Sequence, residues 1–209
     1  IPFEHAALFG CGVVTGVGAV INTAKASEED SVAIVGLGGV GLSALLASIA
    51  IGSKKTIAID LSDEKLALAK ELGANHTLNP KDENFLETFL DITSGGANIA
   101  VETAGSGHAL KTAYDITRRG GTTVAAGMPG PKVEITLSHL SIAAEERVIK
   151  GSYMGSCIAQ RDIPKYLDMF QTGRLPVDRL LSRKIKFEDL NEAMDRLDDA
   201  KTVREVLIP

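Results

Sequence analysis

Short apolar runs alternate with longer helical segments along most of the chain. Residues 32–35 form a β-branched run, and residues 40–51 behind it are rich in Leu and Ala, which is typical of a buried helix. Residues 56–59 repeat the strand pattern, and residues 63–72 carry apolar side chains at helical spacing. Ser62 stands where the N-cap of that helix is expected. The pattern therefore predicts two consecutive strand–helix units.

The alternation continues through the middle of the chain. We predict further strands at 76–80, 98–102, 122–126 and 147–151, and further helices at 82–93 and 107–118, the last one stopped by Gly120 and Gly121. Six strands separated by helices are typical of an α/β fold with a doubly wound parallel sheet. The sixth strand would be an open edge, which favours pairing with a second copy of the chain.

The last part of the chain has a different pattern. We predict a helix at 163–171, an extended segment at 180–185, a helix at 187–197 and a closing strand at 203–208. The sequence contains no internal repeat, heptad pattern or low-complexity tract. We therefore expect the α/β domain to be followed by a structured tail.

Composition and charge narrow the function classes. With 44% hydrophobic residues over 209 positions the chain can form a packed core, and its net charge of −5 argues against nucleic-acid binding. Residues 6–24 and 31–53 are uncharged and long enough to span a membrane, but glycines interrupt both, so we interpret them as buried core and expect no membrane partner. Cys11 and Cys157 cannot form a disulfide framework, which indicates a cytoplasmic protein.

The most specific motif is a glycine-rich turn between the first predicted strand and the helix after it. The turn comprises Gly36, Leu37, Gly38, Gly39, Val40 and Gly41. Gly36 permits the tight turn, Gly38 lets the backbone approach a pyrophosphate, and Gly41 lets the helix pack closely on the sheet. Free N–H groups at the helix N-terminus favour an anion at the same place. The motif predicts a dinucleotide site.

An acidic residue follows at the spacing that such a site needs. Asp60 ends the second predicted strand, about 20 positions after the glycines, where a carboxylate accepts hydrogen bonds from the adenosine ribose. It would repel a 2′-phosphate, and no Arg follows it, so we predict NAD rather than NADP. Lys65 is a candidate contact to the same ribose, although a solvated surface lysine fits its spacing equally well.

Cys11 stands between two glycines ahead of this motif. A lone cysteine is most often a small buried hydrophobe, and a thiolate ligand to zinc needs partners. None of the four histidines stands at a metal-ligand spacing from another His or from a Cys. On spacing alone, therefore, no closed metal site is visible.

Gly10-Cys11-Gly12, Thr15, the glycine turn and Asp60 together resemble the zinc-dependent medium-chain alcohol dehydrogenases. Residues 102–105, 126–129, 150–155 and 203–204 agree with this resemblance, which covers essentially the whole chain. It is strongest to the class of thiol-dependent formaldehyde dehydrogenases. The implied fold is a Rossmann domain, and the implied reaction is hydride transfer between an alcohol or aldehyde substrate and NAD.

The resemblance also implies a role for each matching residue. Cys11 would be one of three protein ligands to the catalytic zinc, and Thr15 would lie against the nicotinamide ring as a catalytic residue. The implied cofactor contacts are Thr103, Ala126, Gly127, Met128, Ser152, Tyr153, Met154 and Arg204, the last one at the pyrophosphate. Without the resemblance, Arg204 is a surface charge on a strand edge and Thr103 is merely a strand end.

The resemblance further implies a division into three segments. Residues 1–12 would end a GroES-like catalytic domain, residues 13–152 would form the NAD-binding domain, and residues 153–209 would return to the catalytic domain. The rest of that domain, with the other zinc ligands, would precede this chain. We therefore expect a homo-oligomeric enzyme, an exposed apolar patch on the tail, and no turnover by this chain alone.

Two alternatives stay open on the sequence. The first is a non-enzymatic nucleotide-sensing module, and the second is a methyltransferase, since both classes use a glycine turn and an acid. The three-glycine spacing is stricter than a methyltransferase needs. The segments near Met128 and Ser152 would be redundant without nicotinamide chemistry, which favours the oxidoreductase.

Overall fold

A computed structural model of the chain describes residues 1–198 and 202–208. Its main feature is a six-stranded sheet with the strand order β3-β2-β1-β4-β5-β6, in which every neighbouring pair is parallel. The strands are β1 Ser31–Val35, β2 Lys55–Ile59, β3 His76–Leu78, β4 Ala97–Glu102, β5 Thr117–Ala125 and β6 Val148–Gly151. This order is that of the doubly wound Rossmann fold, so the predicted fold class is confirmed.

Helices connect the strands, and further helices precede β1 and follow β6 along the chain. They are α1 Phe3–Ala6, α2 Gly12–Gly18, α3 Gly39–Ala50, α4 Asp63–Glu71, α5 Phe85–Thr93, α6 Gly107–Asp115, α7 His139–Ala144, α8 Ala159–Gln171 and α9 Leu190–Asp198. A π-helix, Ala19–Ala24, continues α2, and 3₁₀ turns cover Ala7–Gly10, Met154–Ser156, Val177–Leu180 and Phe187–Asp189. Ser62 caps α4 as predicted, since its hydroxyl accepts a hydrogen bond from the Lys65 N–H at 3.4 Å.

The core is divided by the sheet into two apolar layers. All five residues of β1 are buried, and their side chains alternate between the two faces. Ile34 belongs to the layer that includes α2 and α3, whereas Ala33 packs in the layer with Ile57 and Phe89. A strand buried on both faces explains the continuous apolar run in the sequence.

The boundary between α6 and β5 differs from the prediction. The helix ends at Asp115 instead of 118, and Gly120 and Gly121 lie inside β5 rather than stopping the helix. Thr117 already pairs with Ala97, and a register shift follows between Ala97 and Ile99 of the partner strand. The glycines therefore accommodate an irregular strand, a pairing that helical periodicity does not reveal.

The N-terminal segment belongs to the core, in agreement with the interpretation of residues 6–24 as buried. All seven residues of α2 are buried, and a methyl group on Gly16 would lie 2.1 Å from the Val40 carbonyl oxygen of α3. The two helices thus pack with their backbones in near contact.

Among the described residues, no single helix is long and apolar enough to span a bilayer. Phe3–Gly10 and Gly12–Ala24 meet the length and hydropathy criteria only as a pair, which is bent by 58°.

The tail packs against the N-terminus and forms a small sheet of its own. Strands β7 Leu181–Ile185 and β8 Arg204–Leu207 are parallel. Phe170 of α8 makes edge contacts with the rings of His5 and Phe9, and Lys184 forms an ion pair with Glu4 at 2.6 Å. Several large apolar side chains of the tail are exposed, as expected, among them Ile158, Phe187 and Met194.

Candidate functional site

The glycine turn joins β1 to α3 in the geometry that its motif predicts. Gly36 has a φ of +92°, which only glycine adopts without strain. A methyl group on Gly41 would lie 1.8 Å from the Gly36 carbonyl oxygen, so the first turn of α3 packs directly on the end of β1. Around Gly38, in contrast, there is open space. The N-terminus of α3 is therefore accessible to an anion.

Asp60, at the end of β2, is bonded to the same turn. One carboxylate oxygen accepts a hydrogen bond from the Leu37 N–H at 2.6 Å, and the other accepts one from the Ser62 N–H at 2.9 Å. The carboxylate thus connects the glycine turn to the start of α4. It keeps lone pairs for a ligand hydroxyl, because an ionised carboxylate has about four acceptor positions.

A cavity of about 400 Å³ adjoins Asp60 at the carboxyl ends of β1 and β2. Asp60 and Lys65, which the sequence proposed as contacts to one ribose, both line it. Its other lining residues include Pro80, Ser106, His108 and Thr112, which sequence reasoning did not select. They belong to neighbouring segments and have no motif of their own, so only the fold brings them together.

Arg204 reaches from β8 to the glycine turn. A methyl group on Gly39 would lie 2.1 Å from its guanidinium carbon, and one on Gly12 would lie 2.5 Å from a terminal nitrogen. Burial lowers the pKa of the guanidinium. None of the ion pairs formed by the described residues includes Arg204. A half-buried cation without an acidic partner, beside a helix N-terminus, is suited to hold a phosphate group.

Thr103 contacts the glycine turn from the adjacent strand end. Its hydroxyl donates a hydrogen bond to the Gly36 carbonyl oxygen at 2.7 Å, and its N–H donates to the Val35 carbonyl oxygen at 2.9 Å. These two hydrogen bonds stabilise the turn. A direct contact between Thr103 and a cofactor stays a prediction.

Thr15 lies on α2 and contacts the turn that follows β6. Its hydroxyl donates to the Cys11 carbonyl oxygen at 2.8 Å and is 3.8 Å from the sulfur of Met154. The structure therefore brings together Thr15 and Met154, which are far apart in sequence. The neighbouring Tyr153 is 77% exposed, whereas Ser152 is buried and shares a hydrogen bond of 2.8 Å with Thr23.

The turn that carries Met154 has an unusual backbone. Met154, Gly155 and Ser156 all have positive φ. The side chain of Asn22 holds this turn, since its amide donates to the Gly155 carbonyl oxygen at 3.2 Å and to the Asp162 carboxylate at 3.3 Å. Asn22 lies in the π-helix, a feature often found at functional sites. The sequence did not identify this network, because Asn22 is 133 positions from Gly155 and 140 from Asp162.

The loop after β5 contains Ala126, Gly127 and Met128. Ala126 is buried, and Met128 is 77% exposed. The backbone N–H groups of Ala126 and Gly127 both donate to the Glu102 carbonyl oxygen, at 2.9 and 3.0 Å. Glu102 itself, buried at the end of β4, was not selected from the sequence.

Cys11 does not form a metal site with the described residues. Its side chain is free and the residue is exposed, and no group of three or more His, Cys, Asp or Glu residues in the described part of the chain could hold a metal ion. A zinc site needs three or four ligands. Within residues 1–198 and 202–208, zinc therefore does not fit, and Cys11 could contribute only one ligand to a larger site.

Comparison with known proteins agrees with this geometry. Residues 39–172 match a protein-family model described as zinc-binding dehydrogenase. The whole chain is 35% identical to geraniol dehydrogenase of Castellaniella defragrans and spans 56% of it, and 99% of the chain is 30% identical to S-(hydroxymethyl)glutathione dehydrogenase of Paracoccus denitrificans, spanning 57% of it.

A solved structure gives the same result for the fold. Benzyl alcohol dehydrogenase of Acinetobacter calcoaceticus superposes with a TM-score of 0.95 at 32% identity, over 99% of this chain and 57% of that one. The chain thus spans somewhat more than half the length of these relatives. The family-model match contains Asp60 and five of the six strands of the sheet, β2 to β6, and it begins within the glycine turn at Gly39. This chain belongs to the zinc-binding dehydrogenase family.

Proposed function

We propose that this chain is the NAD-binding portion of a zinc-dependent alcohol dehydrogenase, which transfers hydride between an alcohol or aldehyde and NAD. The observation that carries the proposal is the junction of the glycine turn, Asp60 and Arg204 at the carboxyl ends of the sheet. The names of the relatives, which act on geraniol, S-(hydroxymethyl)glutathione and benzyl alcohol, support the substrate class.

The dinucleotide would be held by three groups of residues. Asp60 and Lys65 would bind the adenosine ribose, since both line the cavity beside β2. The open N-terminus of α3 at Gly38 and the guanidinium of Arg204 would bind the pyrophosphate. The carboxylate at Asp60 disfavours a 2′-phosphate, which is the basis for proposing NAD over NADP.

The nicotinamide end would lie between α2 and the two later loops. Thr15 would face the ring, and the backbone of residues 126–128 and 152–154 would bind the carboxamide. Bound NAD supplies the hydride acceptor. The residues of this chain orient the ring and, with the buried α2 behind Thr15, shield one side of it from water.

Most of the ligands of the catalytic zinc would not be among the described residues. Cys11 is the single zinc ligand that we assign to this chain, so we expect no alcohol oxidation by the 209-residue chain alone. We also propose that residues 1–12 and 153–209 belong to the catalytic domain and residues 13–152 to the NAD-binding domain. Two unpaired cysteines are consistent with a cytoplasmic enzyme.

We further propose that the enzyme is a homo-oligomer joined through β6. Val148 and Ile149 on this edge strand are 40% and 41% exposed, and β6 pairs on one side only, with β5. An apolar open edge favours pairing with a second copy. No second copy is needed to complete the dinucleotide cleft described above.

The preference for NAD is tested by titrating the chain with NADH and NADPH and following cofactor fluorescence. The wild-type chain should bind NADH more tightly than NADPH. Asp60→Asn should weaken NADH binding by about tenfold, since a charge-assisted hydrogen bond is lost, and should reduce the preference over NADPH. Asp63→Asn, in the first turn of α4, is the matched control and should change neither value. Equal binding of both cofactors by the wild-type chain would overturn this proposal.

A further inference from the structure

One buried carboxylate beside the cleft has no task in the binding scheme above. Glu102 ends β4 and is 2% exposed. One of its carboxylate oxygens accepts a hydrogen bond from the Gly105 N–H at 2.6 Å. Its backbone carbonyl accepts the N–H groups of Ala126 and Gly127. A single residue thus bonds both the loop after β4 and the loop after β5.

The two loops are in close backbone contact at Gly105 and Gly127. A methyl group on Gly127 would lie 2.2 Å from the Gly105 nitrogen and 2.8 Å from a Glu102 carboxylate oxygen. A methyl group on Gly105 would lie 2.8 Å from the Met128 carbonyl oxygen. The two glycines leave no free space between the loops. A displacement of Gly105 would therefore move the backbone of residues 126–128 as well.

The surroundings of the carboxylate consist of backbone N–H groups rather than a cation. No ion pair among the described residues includes Glu102. Burial raises the pKa of its carboxyl group, and the N–H groups of Gly105, Ala104, Ser106 and Gly127 act against that rise by favouring the charged form. A carboxylate is costly to bury, and here the donors that compensate for it all belong to the two loops.

We propose that Glu102 is a positioning residue for the nicotinamide end of the cofactor. Its carboxylate sets Gly105, and through Gly105 the backbone of residues 126–128, where the carboxamide would bind. The adenosine end depends mainly on Asp60 and Lys65, which lie at the end of β2 and on α4, outside the two loops. Ser106, whose N–H acts on the Glu102 carboxylate, also lines that cavity, so a smaller effect of Glu102 is expected there. This inference rests on the proposed function, because it assumes that residues 126–128 bind nicotinamide.

The test compares NADH with ADP-ribose, which lacks the nicotinamide ring. In Glu102→Gln one N–H donor would face an amide NH₂ instead of an acceptor, so the loop contact is disturbed with little change in volume. We expect the NADH dissociation constant to rise about tenfold and the ADP-ribose constant to change less than about twofold. Glu87→Gln, which removes an exposed carboxylate on α5, is the control and should bind both ligands like the wild type.

The outcomes separate the inference from the function on which it rests. Equal losses for NADH and ADP-ribose would show that Glu102 only stabilises the fold, and would overturn the inference. Failure of the wild-type chain to bind either ligand would instead overturn the proposed function.

A second measurement on the wild-type chain covers the case in which Glu102→Gln does not fold. Hydrogen–deuterium exchange should show strong protection of the Gly105, Ala126 and Gly127 amides, because each donates to Glu102. The exposed segment 131–134 should exchange quickly. Fast exchange at Gly105 would contradict the proposed contact.

Discussion

At the residue scale, the charged groups of the cleft differ in how they are satisfied. The Asp60 carboxylate accepts hydrogen bonds from two backbone N–H groups of the protein itself. Arg204 is half-buried and donates a hydrogen bond to the Val203 carbonyl oxygen at 3.0 Å. A half-buried guanidinium without an acidic partner is incompletely solvated in the free chain, so it contributes little to stability there and gains from a bound anion.

This difference predicts opposite effects of one substitution. Arg204→Met retains the apolar stem but removes the charge, so the free energy of unfolding should not fall below that of the wild type, whereas NADH affinity should fall about tenfold or more. Urea unfolding and NADH titration measure the two quantities. Arg183→Met, at an exposed position of β7, is the control. A destabilised variant with normal NADH affinity would refute the phosphate role.

Sequence alone predicted the residues whose geometry is local. The glycine turn and Asp60 follow from spacing, because each glycine acts within its own strand–helix unit. Arg204 was identified only through the family resemblance, since its contact with Gly39 joins distant parts of the chain. Glu102 was missed for the same reason: its role depends on how Gly105 meets Gly127 in space.

At the element scale, the glycine turn combines two different requirements. Gly41 is needed for packing, since its Cα lies against the Gly36 carbonyl and the Thr103 hydroxyl. Gly38 has open space around it and a φ of −75°, which any residue adopts. The first requirement concerns stability and the second concerns access of a ligand to the N-terminus of α3.

Alanine at the two positions should therefore have different consequences. Gly41→Ala should lower the free energy of unfolding by about 3 kcal/mol, because backbone atoms must move. Gly38→Ala should leave stability unchanged or slightly higher but weaken NADH binding, because the new methyl group lies where the pyrophosphate approaches. Gly10→Ala, also in open space, controls for the effect of alanine on the unfolded chain. Normal NADH affinity of Gly38→Ala would contradict the assigned approach.

The start of α8 gives a pH-dependent prediction. A hydrogen bond from Arg161, with a second from the Ile158 N–H, lowers the pKa of the buried Asp162 carboxyl to about 2. Its ordinary value is 3.8, so its stabilisation is complete above about pH 5 and is lost as the pH falls through 4 towards 2.

Replacing Asp162 by Asn removes the titrating carboxyl group and so tests this pH dependence. Asp162→Asn should lower the free energy of unfolding by about 2 kcal/mol at pH 7, and its difference from the wild type should shrink as the pH approaches 2. Urea unfolding between pH 7 and pH 2.5 measures it. Asp168→Asn, on the exposed face of the same helix, should have little effect at any pH. A difference that does not depend on pH would exclude the charge as the cause.

Element types were easier to predict than their ends. Strands β1, β2 and β4 follow from buried apolar runs, and their neighbours in the sheet follow from the rules for parallel folds. The α6–β5 boundary was wrong because the Thr117–Ala97 pair and the register shift after it are tertiary features. The Met154–Ser156 turn likewise depends on Asn22, which no local pattern connects to it.

At the scale of the whole molecule, the described residues form a cleft suited to a dinucleotide and include one proposed zinc ligand, Cys11. The sheet, the glycine turn and β8 together place Asp60, Gly38 and Arg204 around one cleft. The described residues place Cys11 near that cleft without further metal ligands. We therefore expect the chain by itself to bind the cofactor without oxidising an alcohol.

A crystal structure of the chain grown with NADH tests this claim most directly. We expect the adenosine ribose on the Asp60 carboxylate, the pyrophosphate at the N-terminus of α3 within hydrogen-bond distance of Arg204, and the nicotinamide between Thr15 and residues 126–128. A dinucleotide bound away from the glycine turn, or an empty cleft in crystals grown at millimolar NADH, would contradict it.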